Sequence, residues 1–301
     1  MTLRRGIGIL HRLSHTHVTG LRSRRLGQTM KVIITYVMLS AVSIVILIPL
    51  FWMLSTSLKK QMDVYIFPPV WIPDPPQWQN YLTVLTNFNF PLYALNTTFI
   101  TTTVIVGTLI SSSMAGYGFA RLRAPGKNLI FLMLLATLML PYTVVMVPIF
   151  VLFKNLHWLD TFKPLIVPAF FGNVFYIFLF RQFFMTINRE LEDAARIDGC
   201  SSLLTYYHIM APISRPAFIV VAIFSFVENW NDFLGPLIYL SSEGKRTIAL
   251  ALAFYQGSTR VGPQLHLLMA ASFMAVLPCI ILFYFAQRYF IQGIVFTGVK
   301  G

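Results

Sequence analysis

The stretch Asn188–Pro216, NRELEDAARIDGCSSLLTYYHIMAPISRP, is the longest polar interruption in the second half of a very apolar chain. Its spacing predicts two short helices around a sharp turn. Asn188 is a good N-cap, and acids crowd the first turn after it, where the helix dipole favours them. Arg189 with Asp193 and Glu192 with Arg196 are i,i+4 pairs. Leu191, Ala194 and Ala195 are expected on one shallow face. Asp198-Gly199 is a stop, since Gly takes the left-handed conformation past a helix end. Ser201 or Ser202 caps a second helix in which Leu204, Tyr207, His208 and Ala211 share a face, with Pro212 and Pro216 ending it. By itself the segment is either an amphipathic linker on a bilayer surface or a face that another protein approaches closely.

Around this stretch the chain is hydrophobic. Of 301 residues, 56% are apolar and 11% charged, which excludes an ordinary soluble domain and fits an all-α, polytopic membrane protein. The net charge of +13 does not signal nucleic acid, because the cations lie between long apolar runs. Cys200 and Cys279 give no disulfide framework and are read as free thiols. His11, His15 and His17 lie in a basic tail without a scaffold, and no metal-ligand cluster is evident.

Residues 1–31 hold seven basic residues and no acid, and read as a basic cytoplasmic tail. The uncharged run from Val32 to Leu58 is too long for a signal-peptide core and is expected to be an uncleaved first span. A proline-rich segment, Phe67 to Pro76, excludes helix and suits a compact loop at the interface. Five further spans are expected near 95–120, 128–153, 164–180, 217–240 and 265–286, the third kinked at Pro141 and Pro148. Ser111-Ser112-Ser113, Ala115 and Gly116 in the second allow close helix packing. A polar loop is expected to run to about Gln264. Six spans put both termini on one side. Sixteen of the 23 Lys and Arg residues then share that side and seven lie opposite, so the termini and the 185–216 loop are expected in the cytoplasm.

The loop resembles the cytoplasmic EAA loop of binding-protein-dependent ABC importers, in which Glu-Ala-Ala is followed by a Gly and then Ile-x-Leu-Pro. Here the match is Asp193-Ala194-Ala195, Gly199 and Ile209-Met210-Ala211-Pro212, with Asp for Glu and Ala for Leu. The resemblance extends beyond the loop. Phe67-Pro68-Pro69 with Asn80-Tyr81, Phe119-Ala120-Arg121, Pro141 with Pro148, Gln182-Phe183-Phe184, Trp230-Asn231-Asp232-Phe233 with Pro236-Leu237, and the closing Gly298-Val299-Lys300-Gly301 look like the carbohydrate-uptake subfamily, and like its maltose-permease G-type subunit. The resemblance implies a six-span permease domain over 32–301. It also implies a second permease subunit, two cytoplasmic ATPase subunits carrying ATP and Mg, and an extracytoplasmic solute-binding protein. Asp193, Ala194, Ala195, Asp198 and Gly199 would then couple to the ATPase. The chain itself reads as no enzyme: Gly126-Lys127 and Gly244-Lys245 lack the flanking Gly and Ser or Thr of a phosphate-cradling loop.

Candidates for the solute path are Glu228, Asn229, Trp230 and Asp232. Glu228 and Asp232 are i,i+4 on one face if the span is continuous, and intramembrane acids usually face a cavity or a partner. Trp230 offers a ring for stacking on a sugar. The competing reading is that these groups pack helices together near the outer interface. The expected function is a permease subunit of an ATP-driven importer of a sugar or oligosaccharide, held in the inner membrane of a prokaryote with lipid around it. The alternatives are a proton-coupled secondary transporter using Glu228 or Asp232, or an importer of a polyol or glycerol phosphate.

Overall fold

A computed structural model describes residues 6–256 and 264–298, with side-chain environments for 28, 30–256 and 264–287. The side chains of His11, His15 and His17 and the closing Val299-Lys300-Gly301 fall outside these. Every regular element among the described residues is helical. Besides two short 3-10 turns, Met62–Tyr65 and Glu243–Lys245, they are in order α1 (Gly6–Ser57), α2 (Gln79–Asn87), α3 (Phe90–Arg121), α4 (Lys127–Met139), α5 (Tyr142–Asn155), α6 (Lys163–Thr186), α7 (Glu190–Ile197), α8 (Ser202–Ile213), α9 (Arg215–Trp230), α10 (Leu234–Tyr239), α11 (Ile248–Gln256) and α12 (Leu265–Gly298).

Four helical stretches are long and apolar enough to cross a bilayer: Met30–Ser57, Phe90–Arg121, Lys163–Thr186 and Leu265–Gln287. Two bent pairs, α4 with α5 at 100° and α8 with α9 at 77°, are apolar enough as well, which makes six crossings among the described residues if each pair is one span. The span from Met30 leaves its apolar side chains exposed, as lipid-facing residues should be.

Three expectations are corrected here. Span three is not one kinked helix but a 100° corner. Pro141 disfavours helical geometry at the residue before it, and Leu140 is accordingly extended at ψ 115°. Pro216 does not end the loop's second helix. It stands in the first turn of α9, where its missing N–H costs nothing. The segment before Gln264 is not all polar loop. It contains α11, whose Ile248, Leu250 and Ala251 are buried.

The chain divides into two units, 1–55 and 56–301. In the second, α3 is the central helix, packing along α6 and α9. Small residues permit this closeness. A Cβ on Gly116 would come within 2.7 Å of Phe180 Cβ and 3.1 Å of backbone atoms of α6. Two cores flank α3. One gathers Val84, Phe90, Tyr93, Trp230, Ile248, Ala270 and Ala271. The other gathers Tyr117, Tyr176, Phe180, Phe184, Tyr206, Met210 and Val221, and so carries the 188–216 loop on its surface.

Candidate functional site: the 188–216 loop and an aromatic cavity

The loop folds as two short helices, for the local reasons the sequence supplies. Asn188 is not the N-cap as expected: Arg189 holds that position without a side-chain bond, and Asn188 Oδ1, one residue earlier, accepts from the Glu190 N–H at 3.2 Å. Glu190, Glu192 and Asp193 occupy the first turn of α7. Gly199 has φ +81°, and the Gly199 and Cys200 N–H groups return to the carbonyls of Arg196 and Ala195 at 3.0 and 2.9 Å, closing the helix end. Ser201 Oγ then caps α8 by accepting from Leu204 N–H at 3.3 Å.

The pairing differs from the sequence reading. Glu192 does not reach Arg196. It is buried and bonds Arg121, the last residue of α3, at 2.9 Å, with both side chains about 5% exposed. Arg121 also donates to the carbonyls of Phe184 and Ile187. One guanidinium thus ties α3, the end of α6 and α7 together. Arg196 instead meets Asp193 at 3.7 Å on the exposed side, and Arg189 makes no ion pair among the described residues.

The faces differ too. Ala194 and Ala195 do not present one surface: consecutive residues are 100° apart, and Glu192 draws Ala195 inward with it. Ala195 is 3% exposed, while Asp193, Ala194 and Asp198 face outward with Leu191 and Ile197. In α8 the group Leu204, Tyr207 and His208 is the outward face, and Thr205, Tyr206 and Met210 are buried. Tyr206 shares a 2.6 Å hydrogen bond with Ser113 and packs against Tyr117 and Phe184. The loop therefore has an anchored inner face and an outer face mixing acids with exposed Leu191, Ile197, Leu203, Leu204 and Tyr207.

A cavity of about 720 Å³ opens among α5, α6, α9 and α10. Tyr142, Phe153, Trp158, Phe171 and Tyr239 line it with aliphatic residues, and Glu228, Asn229 and Asp232 supply polar groups. No Lys or Arg lines it. Glu228 accepts a 2.9 Å hydrogen bond from Tyr176. Asn229 donates to the Ser225 carbonyl at 2.7 Å. Helix α9 ends at Trp230, so Asp232 is not on its face but beyond it, accepting from Gly235 N–H at 3.1 Å. A Cβ at Gly235 would sit 2.5 Å from Asp232 Oδ2, so only glycine leaves room for this carboxylate. The cavity nonetheless collects both acids.

Trp230 is the exception among the four candidates. Two residues on from Glu228 it points the opposite way, lying 7% exposed in the core, stacked on Phe226 and donating to the Ala275 carbonyl at 3.0 Å. It packs α9 on α12 and does not line the cavity. The aromatic surfaces that do line it were not legible by motif, since they come from separate elements.

Beside the cavity lies a second polar cluster the sequence did not announce. Asp160, at φ +53°, accepts from the Ser241 and Ser242 N–H groups at 3.0 and 2.9 Å and pairs with Lys245 at 3.0 Å. The Ser242 hydroxyl and N–H, with Lys245, hold this carboxyl well below the usual carboxylate range. Asp160 N–H also donates to the carbonyl of Tyr239, a cavity residue, at 2.8 Å. On the other side, Asn96 of α3 donates to the Gly244 and Arg246 carbonyls, and Thr97 accepts from Ile248 N–H.

Residues 107–295 match the family described as binding-protein-dependent transport system inner membrane component. The chain is 40% identical over 200 residues to the arabinooligosaccharides transport system permease protein AraQ of Bacillus subtilis (strain 168), covering 66% of this chain and 69% of that one. It is 33% identical over 267 residues to a putative ABC transporter permease protein of Caldicellulosiruptor sp., covering 88% and 96%. A crystal structure of a bacterial ABC transporter involved in the import of the acidic polysaccharide alginate superposes with a TM-score of 0.78 at 24% identity, over 86% of this chain and 95% of that one.

Proposed function

Because the chain belongs to the family of binding-protein-dependent transport system inner membrane components, and so is a multi-pass permease of an ATP-driven importer, we propose that it forms half of the pathway for a sugar or oligosaccharide. The observation that carries this reading is the cavity's chemistry. Flat aromatic walls suit the apolar faces of a pyranose, and the Glu228 and Asp232 carboxylates accept hydrogen bonds from hydroxyls. Two carboxylates with no cation weigh against an anionic solute such as glycerol phosphate. Relatives named for arabinooligosaccharides, diacetylchitobiose and lactose favour a sugar, while others named for sn-glycerol-3-phosphate keep that solute as the alternative.

In this reading a second permease completes the pathway, an extracytoplasmic binding protein delivers the sugar, and two ATPase subunits holding ATP and Mg dock beneath. Both termini and the 188–216 loop face the cytoplasm. The outward residues Asp193, Ala194 and Asp198 meet the ATPase, Gly199 sets the angle between the two loop helices, and Ala195 seats the loop on its own permease.

The test is uptake by the reconstituted complex with its binding protein. Neutral oligosaccharides should enter only with ATP inside, and should do so after the proton gradient is collapsed. Glu228→Gln should weaken uptake while subunits still co-purify. Uptake driven by an imposed proton gradient without ATP would instead make Glu228 and Asp232 proton carriers. Loss of the complex in Glu228→Gln would make Glu228 a packing residue.

A further inference from the structure

The cytoplasmic loop between spans two and three contains Arg123 and Lys127, and span four passes beside it carrying Arg181. The Arg181 guanidinium lies 4.3 Å over the ring of Phe131, a residue of α4 that is 7% exposed. Its Nε is buried without a hydrogen-bond acceptor. Lys127 is drawn to the Leu122 carbonyl at 2.7 Å, and both Arg181 and Arg189 lie close enough to act on its charge. Burial of Lys127 first, and then these two like charges, lower its pKa. Among the described residues none of them forms an ion pair; of the nearby acids Glu192 is taken by Arg121 and Asp193 by Arg196, and Glu190 lies exposed beside Arg189 without an ion pair to it.

A positive-inside bias accounts for cations in this loop, but not for this arrangement. Solvated loop cations separate and point to water. Here one guanidinium is stacked on a ring of α4, has a buried donor without an acceptor, and acts on the charge of Lys127, one turn before that ring. Such a set is stabilised by an anion that approaches from outside the chain. The anion's source follows from what adjoins it. Leu129, Ile130, Leu132 and Met133 of α4 are all exposed, so the cluster borders an apolar face that enters the bilayer.

We propose that Lys127, Arg181 and Arg189 bind the phosphate headgroup of an anionic phospholipid of the cytoplasmic leaflet, with its acyl chains along the exposed face of α4. The proposal rests on the cytoplasmic placement of this end. Its readout is a lipid count, not transport, so its failure would leave the sugar reading standing. A cation near the membrane surface contributes about 1 kcal/mol toward anionic lipid, so each neutralised residue should weaken retention about fivefold.

The experiment is native mass spectrometry of the purified permease complex, exchanged into micelles holding equal phosphatidylglycerol and phosphatidylcholine. The wild-type complex should retain phosphatidylglycerol selectively. Arg189→Gln, an exposed position whose change spares the core, should lower retention about fivefold, and Lys127→Gln likewise. Arg181→Lys keeps the charge and loses the planar stack, and should fall between. Lys154→Gln with Lys163→Gln, on the opposite side, should change nothing. Equal retention by the wild type and by the Lys127→Gln, Arg189→Gln double variant overturns the proposal. So does displacement of the lipid by inorganic phosphate at equal concentration, which would assign the site to a soluble anion. Loss of the ATPase subunit with lipid retention intact would assign it to a protein partner, and also overturns it.

Discussion

Gly199 has open space where a Cβ would be, so a substitution there meets backbone strain and nothing else. Gly199→Val should cost about 1–3 kcal/mol if the φ of +81° is kept, or change the angle between α7 and α8 if it is not. Gly199→Asn should be milder, since Asn visits this region more readily. The expected outcome for valine is intact membrane insertion with reduced co-purification of the ATPase and unstimulated hydrolysis; normal stimulation would make the loop a passive linker. Arg121 and Glu192 form a second residue-scale test. Either Arg121→Gln or Glu192→Gln leaves an uncompensated buried charge, an expected loss of about 3–5 kcal/mol. The double variant should be destabilised by much less than the sum of the singles in a denaturation series. Additive effects would show that the pair is not coupled. The sequence made Gly199 legible because turn chemistry is local. It hid the Arg121–Glu192 bond because nothing in either residue's own neighbourhood distinguishes a partner 71 positions away from the Arg196 four positions away.

Single helices repeat that division. The apolar runs were readable by length, and the cap at Ser201 by residue type, whereas the cap expected at Asn188 falls on Arg189. The 100° corner between α4 and α5 was not, since Pro141 marks where a helix breaks but packing sets the angle. Helix α11 was missed because nine residues are too short a run to signal themselves between polar flanks. Asp160 shows what packing of loops adds. Its folded-state pKa is depressed, so the stability it contributes is present above the usual carboxylate value of about 3.9 and is lost as pH falls below it. The thermal stability gap between wild type and Asp160→Asn should be open at neutral pH and close below about pH 4. A gap that stays constant through that range would mean the carboxylate makes no charge-dependent contribution. The cavity was half legible: the sequence found Glu228, Asn229 and Asp232, and the wrong aromatic in Trp230.

For the molecule as a whole, the asymmetric distribution of Lys and Arg makes a topological prediction. Single cysteines placed in 61–80 or 241–246 should react with an impermeant thiol reagent applied outside, and cysteines in 200–210 should not. Outside labelling of the 200–210 set would invert the orientation and sink the coupling role of the loop. Helix α3 ties these two faces together. It is 32 residues, about 48 Å at 1.5 Å per residue, with no proline past its first turn. Its C-terminal end is gripped through Arg121 to the 188–216 loop, and near its N-terminal end Asn96 and Thr97 hold the turn that Asp160 hooks to the cavity rim. A stiff rod attached at both ends and packed along its length on α6 and α9 can pivot only about that packed middle. A tilt of about 5° around its middle carries the two ends about 2 Å in opposite directions. If the 188–216 loop meets an ATPase as proposed, a tilt that draws that end of α3 inward would move the cavity rim the opposite way in the same stroke, so the rod's stiffness would set the gearing between the two.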